Sequence, residues 1–354
     1  MKALITSGGK GTRLRPITHT QNKHLIPIAN KPILHYAIET VVDAGISEIG
    51  IITNQETSEV EEAIGNGDRW GVRIVYIPQE APLGLAHVVK ISQDFIGDES
   101  FIFYLGDNMV VGGVKRFIDA FEADNVNCHL TLADVKDPER FGVPEIRNNR
   151  IVSIEEKPAV PKSHYAVAGI YIYDNKIFEA VNNIQPSARG ELEISDAHQY
   201  LLEKGYKVGF SEITGWWKDT GKPVDLLEAN RLVLEHLPSK IEADVDKQSV
   251  IAGKVSIGKG AVVENSHIRG PVIIGENTKI INSYIGPFTS IYDNCVLENS
   301  EVEFSIVLKK CQICDVGIRI ESSILGNDVQ IARAAGKPVT HKFMIGDQSR
   351  IELV

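Results

Sequence analysis

Ser7-Gly8-Gly9-Lys10-Gly11-Thr12-Arg13-Leu14-Arg15-Pro16-Ile17-Thr18-His19-Thr20-Gln21-Asn22-Lys23 is the stretch on which the reading of this chain turns. It follows the apolar run Ala3-Leu4-Ile5, long enough for a buried strand. Three glycines fall within four positions, and Arg13, Arg15 and Lys23 come soon after. Glycine lets backbone N–H groups converge on one point and lets a ligand approach without meeting a Cβ. Arginine and lysine beside such a nest point to a polyphosphate. The loop is not a Walker A sequence, because Gly11 follows Lys10 where Ser or Thr is required. Nor is it a dinucleotide fingerprint, because Leu14 stands where the last glycine would be.

Beyond the loop, Ile33-Leu34, Ala37-Ile38 and Val41-Val42 recur at helical spacing between Pro32 and Gly45. Strands are expected at 49–53, 73–77 and 101–105, with helices at 57–66 and 85–94 between them. Such alternation implies an α/β fold with a mostly parallel, Rossmann-like sheet covered on both faces. Ligands of these sheets sit beyond the carboxyl ends of the strands. The glycine loop, Pro78-Gln79 and Gly106-Asp107 all fall there. From 128 to 236 the pattern is mixed, with strands at 129–133, 165–173 and 208–213 and helices near 192–204 and 223–237.

After Leu237-Pro-Ser the texture changes. Apolar residues recur at Ile251, Ile257, Val263, Ile268, Ile274, Ile280, Ile285, Ile291, Leu297 and Val302, in steps of six, six and five. This is a hexapeptide repeat, which builds a three-sided parallel β-helix burying one residue per side. The five-residue step makes one corner tight. The period fades after about 303, though Ile324 and Ile331 could extend the stack. The expected organisation is a domain over 1–236, with one half to 127 and a second from 128, which the family resemblance given below implies to be a nucleotide half and a sugar-phosphate half. A linker over 237–249, a β-helix over 250–332 and a tail over 333–354 follow.

The chain has 354 residues, 43% hydrophobic and 24% charged, and a net charge of −10. That balance argues against general nucleic-acid binding, so an anionic substrate must be held by local cations. No run approaches the length of a membrane span, and the start lacks a signal-peptide pattern. Four cysteines make no disulfide framework, and cytoplasm is the expected location. Cys311-Gln-Ile-Cys314 has no second pair with which to hold zinc, so the cysteines read as structural. His267 stands without a supporting motif and also reads as structural.

The string Gly8 to Thr18, with Lys23, Leu25-Ile-Pro27 and Lys31-Pro32-Ile33, resembles the signature of the sugar-phosphate nucleotidyltransferases. It is most similar to the long-form glucose-1-phosphate thymidylyltransferases, whose C-terminal β-helix is left-handed. The resemblance implies an enzyme that transfers a nucleotidyl group from dTTP to glucose 1-phosphate, with Mg²⁺ as cofactor. Gly8, Gly9, Gly11, Thr12 and Arg13 would cradle the triphosphate, Lys23 would sit near the α-phosphate, and Asp107 and Asp219 would hold the metal. Gln79 and Gly84 would read the base. Glu156, Lys157, Gly142, Val167, Arg189 and Trp217 would receive the sugar phosphate. Arg15, at a variable position of the motif, reads as peripheral. Asn22-Lys23-His24 departs from the usual Ser/Ala-Lys-Gln, which leaves the lysine's neighbours open. UTP or another hexose 1-phosphate, and a β-helix acting as an acyltransferase, are alternatives. A homo-oligomer is expected, assembled through the β-helix or the catalytic domain, with no nucleic-acid or membrane partner.

Overall fold

The N-terminal apolar run becomes strand β1 (Lys2–Thr6) in a computed structural model that describes residues 1–54, 58–334, 336 and 340–353. The backbone contacts divide the chain into two units: 1–10, 22–25 and 33–219 form one, and 11–21, 26–32 and 220–354 the other.

In the first unit, β1 pairs in parallel with β2 (Glu48–Asn54), and β2 with β3 (Arg73–Gln79). On its other side β1 pairs in parallel with β4 (Phe101–Leu105). A short strand, β5 (Asn108–Val110), follows β4 after a two-residue turn. The main sheet continues through β6 (Cys128–Asp134), and a hairpin, β7 (Gly142–Arg147) with β8 (Arg150–Glu156), lies outside it. Next come β9 (Tyr165–Tyr173), β10 (Val208–Glu212) and β11 (Trp217–Asp219), the last pairing with β5. The main sheet runs β10-β6-β9-β4-β1-β2-β3. Only β9 is antiparallel to its neighbours, so the expectation of a mostly parallel sheet is met.

Alternation along β1 explains the layers. Ala3 and Ile5 join the apolar cluster that includes Leu34, Ala37, Ile38 and Val41 of the Ile33–Asp43 helix. Leu4 faces the opposite cluster, with Phe101, Phe103 and the Leu85–Ile91 helix residues Ala86, Val88 and Val89. Burying one such side chain contributes ~1.5–3 kcal/mol. The single helix expected over 85–94 is two, Leu85–Ile91 and Gln93–Ile96. The break is at Ser92, whose Oγ donates back to Val88 O (2.8 Å), a bond that competes with the helical ladder. The helix expected at 57–66 is Glu59–Ile64, and Thr57 lies outside the described residues. The β7–β8 hairpin and the Lys115–Asp124 and Lys176–Asn183 helices lay within segments the sequence pattern left unassigned.

The second unit contains the parallel β-helix, its three sides being two six-stranded sheets and one five-stranded sheet. Nine of the ten phased positions are at most 1% exposed; Ile251, on the first coil, is half-buried. Lys240–Ile241 and Asp244–Val245, within the stretch expected as a linker, already pair with the coil that follows. The period fades after 303 because coil length changes: Ile285 pairs with Val302, Ile291 with Val307, and Val302 with Ile320. Ile324 and Ile331 do extend the stack, opposite Ile306 and Ile313. The tight corner is an asparagine ladder. Asn265, Asn282 and Asn299 have φ of 44°, 46° and 49°. Asn265 Nδ2 donates to Asn282 Oδ1, Asn282 Nδ2 to Asn299 Oδ1, and Asn299 Nδ2 to Asp315 Oδ1 (3.0, 2.6 and 2.6 Å). The next residue on each of the last two rungs, Ser283 and Ser300, donates its N–H to the serine hydroxyl one coil back.

Helix Pro223–Leu234 belongs to the same unit. Its buried Asn230 accepts from Ala29 N (2.8 Å) and donates to Phe288 O (3.1 Å), while Asn30 Nδ2 donates to Ile291 O (2.7 Å). Residues 26–32 are thereby tied to the β-helix coils.

Two outcomes follow from these elements. Asn282→Ala forces a Cβ-bearing residue with no side-chain amide into the left-handed region, at ~1–2 kcal/mol plus the lost ladder bonds. Asn282→Gly loses only the bonds, so it should be the less destabilised variant in thermal unfolding followed by β-sheet circular dichroism. Burial pushes His198, hydrogen-bonded to Tyr173 Oη (2.6 Å), down to about 3. The unfolded chain therefore binds a proton there below about 6.5 that the folded chain does not, and stability falls as pH drops from 6.5 toward 3. His198→Gln should flatten that slope by up to ~1.4 kcal/mol per pH unit. Trp70, Trp216 and Trp217 all lie in the first unit, so tryptophan fluorescence in urea reads its unfolding.

Candidate active site

Strand order reverses at β1, which has β2 on one side and β4 on the other. A crevice opens beyond the carboxyl ends of two parallel strands whose connections leave in opposite directions. The segments that follow β1 and β4 both end there. Ser7 N donates to Ile52 O (2.9 Å) and fixes the exit of β1. A Cβ on Gly9 would stand 2.8 Å from Lys23 Cε, so the glycine is what lets the loop lie against the lysine stem. Asn22 Nδ2 donates to Ser7 O (3.0 Å), and Asn22 Oδ1 accepts from His24 N (2.9 Å), which holds the short turn carrying Lys23.

Lys23 Nζ forms a close ion pair with Asp107 Oδ2. Burial alone would raise the Asp107 carboxyl, but the Lys23 ammonium outweighs it and holds the group well below the usual carboxylate range. Burial, helped by Lys23, pushes the neighbouring His24 down to about 3, so its ring is neutral at neutral pH. Asp107 is thus an ionised carboxylate in a largely dry setting.

Asn108, 2% exposed, ties the turn to its surroundings. Its Nδ2 donates to Asp107 Oδ1 (3.0 Å), and its Oδ1 accepts from Trp217 Nε1 (2.7 Å) and Gly169 N (3.3 Å). Asp219 is the cross-strand partner of Asn108 in the β5–β11 pair. Asp219, at the end of β11, therefore lies one residue out of register from Asp107, in the turn just before β5. Among the described residues no three His, Cys, Asp or Glu side chains form a metal-ligand group. Two carboxylates fit a hard cation that keeps waters and takes its remaining oxygens from a phosphate substrate.

A second cluster surrounds Glu156. Gly142 is its cross-strand partner, Ser195 Oγ donates to Glu156 Oε2 (2.7 Å), and Lys157 Nζ lies 3.2 Å from Oε1. Arg189 Nη2 donates to Glu193 Oε1 (2.8 Å) and lies 3.7 Å from Glu156 Oε1. Phe141, beside Gly142, meets the Trp217 ring edge-on at 5.6 Å. From Gly142, the cross-strand partner of Glu156, the path leads to the adjoining Phe141 and on by contact through Trp217 and Asn108 to Asp107. Val167 is buried in the apolar cluster beneath. Gln79, the last residue of β3, donates from Nε2 to Gly84 O (3.4 Å). Gly84 sits at φ 101°, and a Cβ there would be 2.3 Å from Leu192 O.

Gly11, Thr12 and Arg13 belong to the other unit, where Gly11 has φ 58°, Thr12–Leu14 forms a single 3₁₀ turn, and Thr18 Oγ1 donates to Gly11 O (2.7 Å). Sequence reasoning passed over Asn108, Glu193 and Ser195. The four-residue spacing of Arg189 and Glu193 was a visible signal for one of them; nothing local marked the other two.

Residues 2–236 match the family model described as nucleotidyl transferase. The chain is 48% identical to a glucose-1-phosphate thymidylyltransferase of Streptomyces griseus, over 100% of its own length and 99% of the relative's. It is 42% identical, over 100% of both chains, to the low-salt glycan biosynthesis nucleotidyltransferase Agl11 of Haloferax volcanii. A crystal structure from Bacillus anthracis, described as a glucose-1-phosphate thymidylyltransferase in complex with a sucrose, superposes with a TM-score of 0.62 at 40% identity. It covers 66% of this chain and 94% of that one.

Asn108→Ala strands the indole N–H of Trp217 and the amide of Gly169, each at ~1–3 kcal/mol. The variant should unfold at lower urea concentration and show altered Trp217 emission in the native baseline.

Proposed function

The chain belongs to the nucleotidyl transferase family, and on that premise we propose that it joins dTTP and glucose 1-phosphate into dTDP-glucose, releasing pyrophosphate. The observation that carries this reading is the Lys23–Asp107 pair, set at the strand-order reversal and braced by Asn108. The 48% identity to the Streptomyces griseus enzyme supports the choice of substrates.

A phosphate oxygen of glucose 1-phosphate attacks the α-phosphorus of dTTP, the α–β bridging bond breaks, and pyrophosphate leaves. No covalent intermediate is needed; the step requires in-line positioning and neutralisation of negative charge. Lys23 meets the α-phosphate, where charge builds as the bond forms. Asp107 and Asp219 would hold Mg²⁺, whose charge offsets that of the phosphates. Glu156 accepts from sugar hydroxyls, while Lys157 and Arg189 hold the sugar phosphate. Gly142 leaves room against the ring, and Val167 and Trp217 supply an apolar wall. Gly8 and Gly9 offer backbone N–H groups to the triphosphate. The roles of Gly11, Thr12 and Arg13 on the β- and γ-phosphates rest on the sequence motif. Gln79 and Gly84 read the base. A cytoplasmic homo-oligomer, assembled on the flat sides of the β-helix, completes the proposal; no helix among the described residues is long and apolar enough to cross a membrane.

Pyrophosphate release should be strongest with dTTP and glucose 1-phosphate in a grid of dTTP, UTP, ATP, CTP and GTP against glucose, galactose, mannose and glucosamine 1-phosphates. Asp107→Asn should lower kcat at least ~10²-fold, the scale for one group that stabilises transition-state charge. Release that survives in the variant, or is absent with every pair in the parent, sinks the reading.

A further inference from the structure

Gln79 is surrounded in a way that fixes how its amide can face a ligand. Its Nε2 lies 3.4 Å from Gly84 O and 3.2 Å from His87 Nδ1. A backbone carbonyl can only accept, so the atom facing Gly84 must be the NH₂ group and not the oxygen. The same NH₂ then offers its second hydrogen to His87 Nδ1, which accepts only if that nitrogen carries no proton. Both amide hydrogens are committed within the protein, and Oε1 is left as the group available to a base.

We propose that His87 is a positioning residue that locks the Gln79 carboxamide with Oε1 outward, so that the site accepts the imide N–H of a thymine or uracil base. The assignment rests on the nucleotidyl-transfer reading for the location of the base. An amide free to rotate would present either a donor or an acceptor to the base's edge. Locked, it presents only an acceptor, which suits the N3–H of thymine or uracil. Against cytosine, whose N3 is itself an acceptor, two lone pairs meet. Discrimination of this kind comes from a repulsive element as much as from an attractive one.

The half-buried ring is suited to the task. Burial lowers its proton affinity, the nearby Lys90 lowers it further, and Glu80 opposes them. At neutral pH the ring is therefore uncharged, and the tautomer that carries its proton on Nε2 leaves Nδ1 open to accept from Gln79. Protonation at acid pH turns Nδ1 into a donor, which repels the NH₂ and leaves Gly84 O as the only protein group, among the described residues, still holding the amide in place.

The test is calorimetric binding of dTTP and dCTP to the full chain between pH 5.5 and 8, with turnover assayed separately. His87→Asn places Oδ1 near the position of Nδ1 and cannot titrate; His87→Leu removes the acceptor. At pH 8 His87→Leu should weaken dTTP binding about tenfold, the loss expected for one hydrogen bond of ~1.4 kcal/mol, and narrow the dTTP/dCTP ratio. His87→Asn should keep the parent's affinity and ratio at pH 8. It should also lack the extra weakening that the parent shows as pH falls below the ordinary histidine range. A His87→Leu variant with the parent's dTTP affinity and ratio overturns the proposal, as does a His87→Asn variant that tracks the parent down the pH range. Because binding is read without turnover, a chain that binds dTTP in this pattern yet releases no pyrophosphate refutes the reaction and leaves the role of His87 standing.

Discussion

A buried primary amide has little freedom: its two hydrogens and its oxygen must all find partners, or the fold bears the cost of each one missed. Asn108 joins three parts of the first unit at once. Its donor goes to Asp107 in the turn after β4, and its acceptor takes the amide of Gly169 in β9 and the indole of Trp217 in β11. Gly169 has no Cβ because one would lie 2.7 Å from the Leu105 side chain and 2.8 Å from Asn108 Oδ1. The aspartate's carboxyl plane, the strand that carries Asp219 and the indole wall are set by one side chain. Small displacements at any of the three would be felt at the others, because the amide cannot satisfy two alternative positions.

The sheet makes such a knot possible. β9 runs against its neighbours and brings chain from the far side of the sheet next to β4, so that segments from beyond residue 128 arrive beside the end of a strand from the first 127 residues. An all-parallel arrangement would present Gly169 from a different register. The one antiparallel strand is what brings the two halves of the first unit to a common crevice.

Much of this was legible in the sequence because it follows from short-range rules. The period-two and period-3.6 runs marked the main strands and several helices, and the six-six-five spacing marked the β-helix to within one coil at its start. The β-helix faded from view where coil length varied, since a phase drift of one residue erases a periodic signal without disturbing the parallel pairing. The asparagine ladder shows the same limit differently. Asn265, Asn282 and Asn299 are plainly seventeen apart in the chain, yet apolar periodicity carries no information about which polar residue turns a corner. At the candidate site, Asp107, Lys23 and Glu156 were found because they sit in motifs. Asn108 stands next to one of them and was given no role, because two of its three partners lie 61 and 109 residues away. The tie of 26–32 to the β-helix unit rests on Asn230 and Asn30, buried or half-buried amides whose partners no local pattern announces.

The charge arrangement around Asp107 suits a ligand that carries both a polyanion and a cation. Burial without a partner would raise the Asp107 carboxyl toward its neutral form. Paired with Lys23, the carboxylate stays ionised while the crevice holds no substrate. Removing either partner would leave the other as an uncompensated charge, which costs far more than the pair contributes. A triphosphate accompanied by a divalent cation, the ligand of the proposed reaction, would satisfy both groups: phosphate oxygens would take the place of the carboxylate at Lys23, and Asp107 would help hold the cation. A ligand supplying only one sign would break the pair and satisfy half of it. In a chain of net charge −10, that local neutrality, and not any long-range attraction, is what makes an anionic substrate acceptable at this point of the fold.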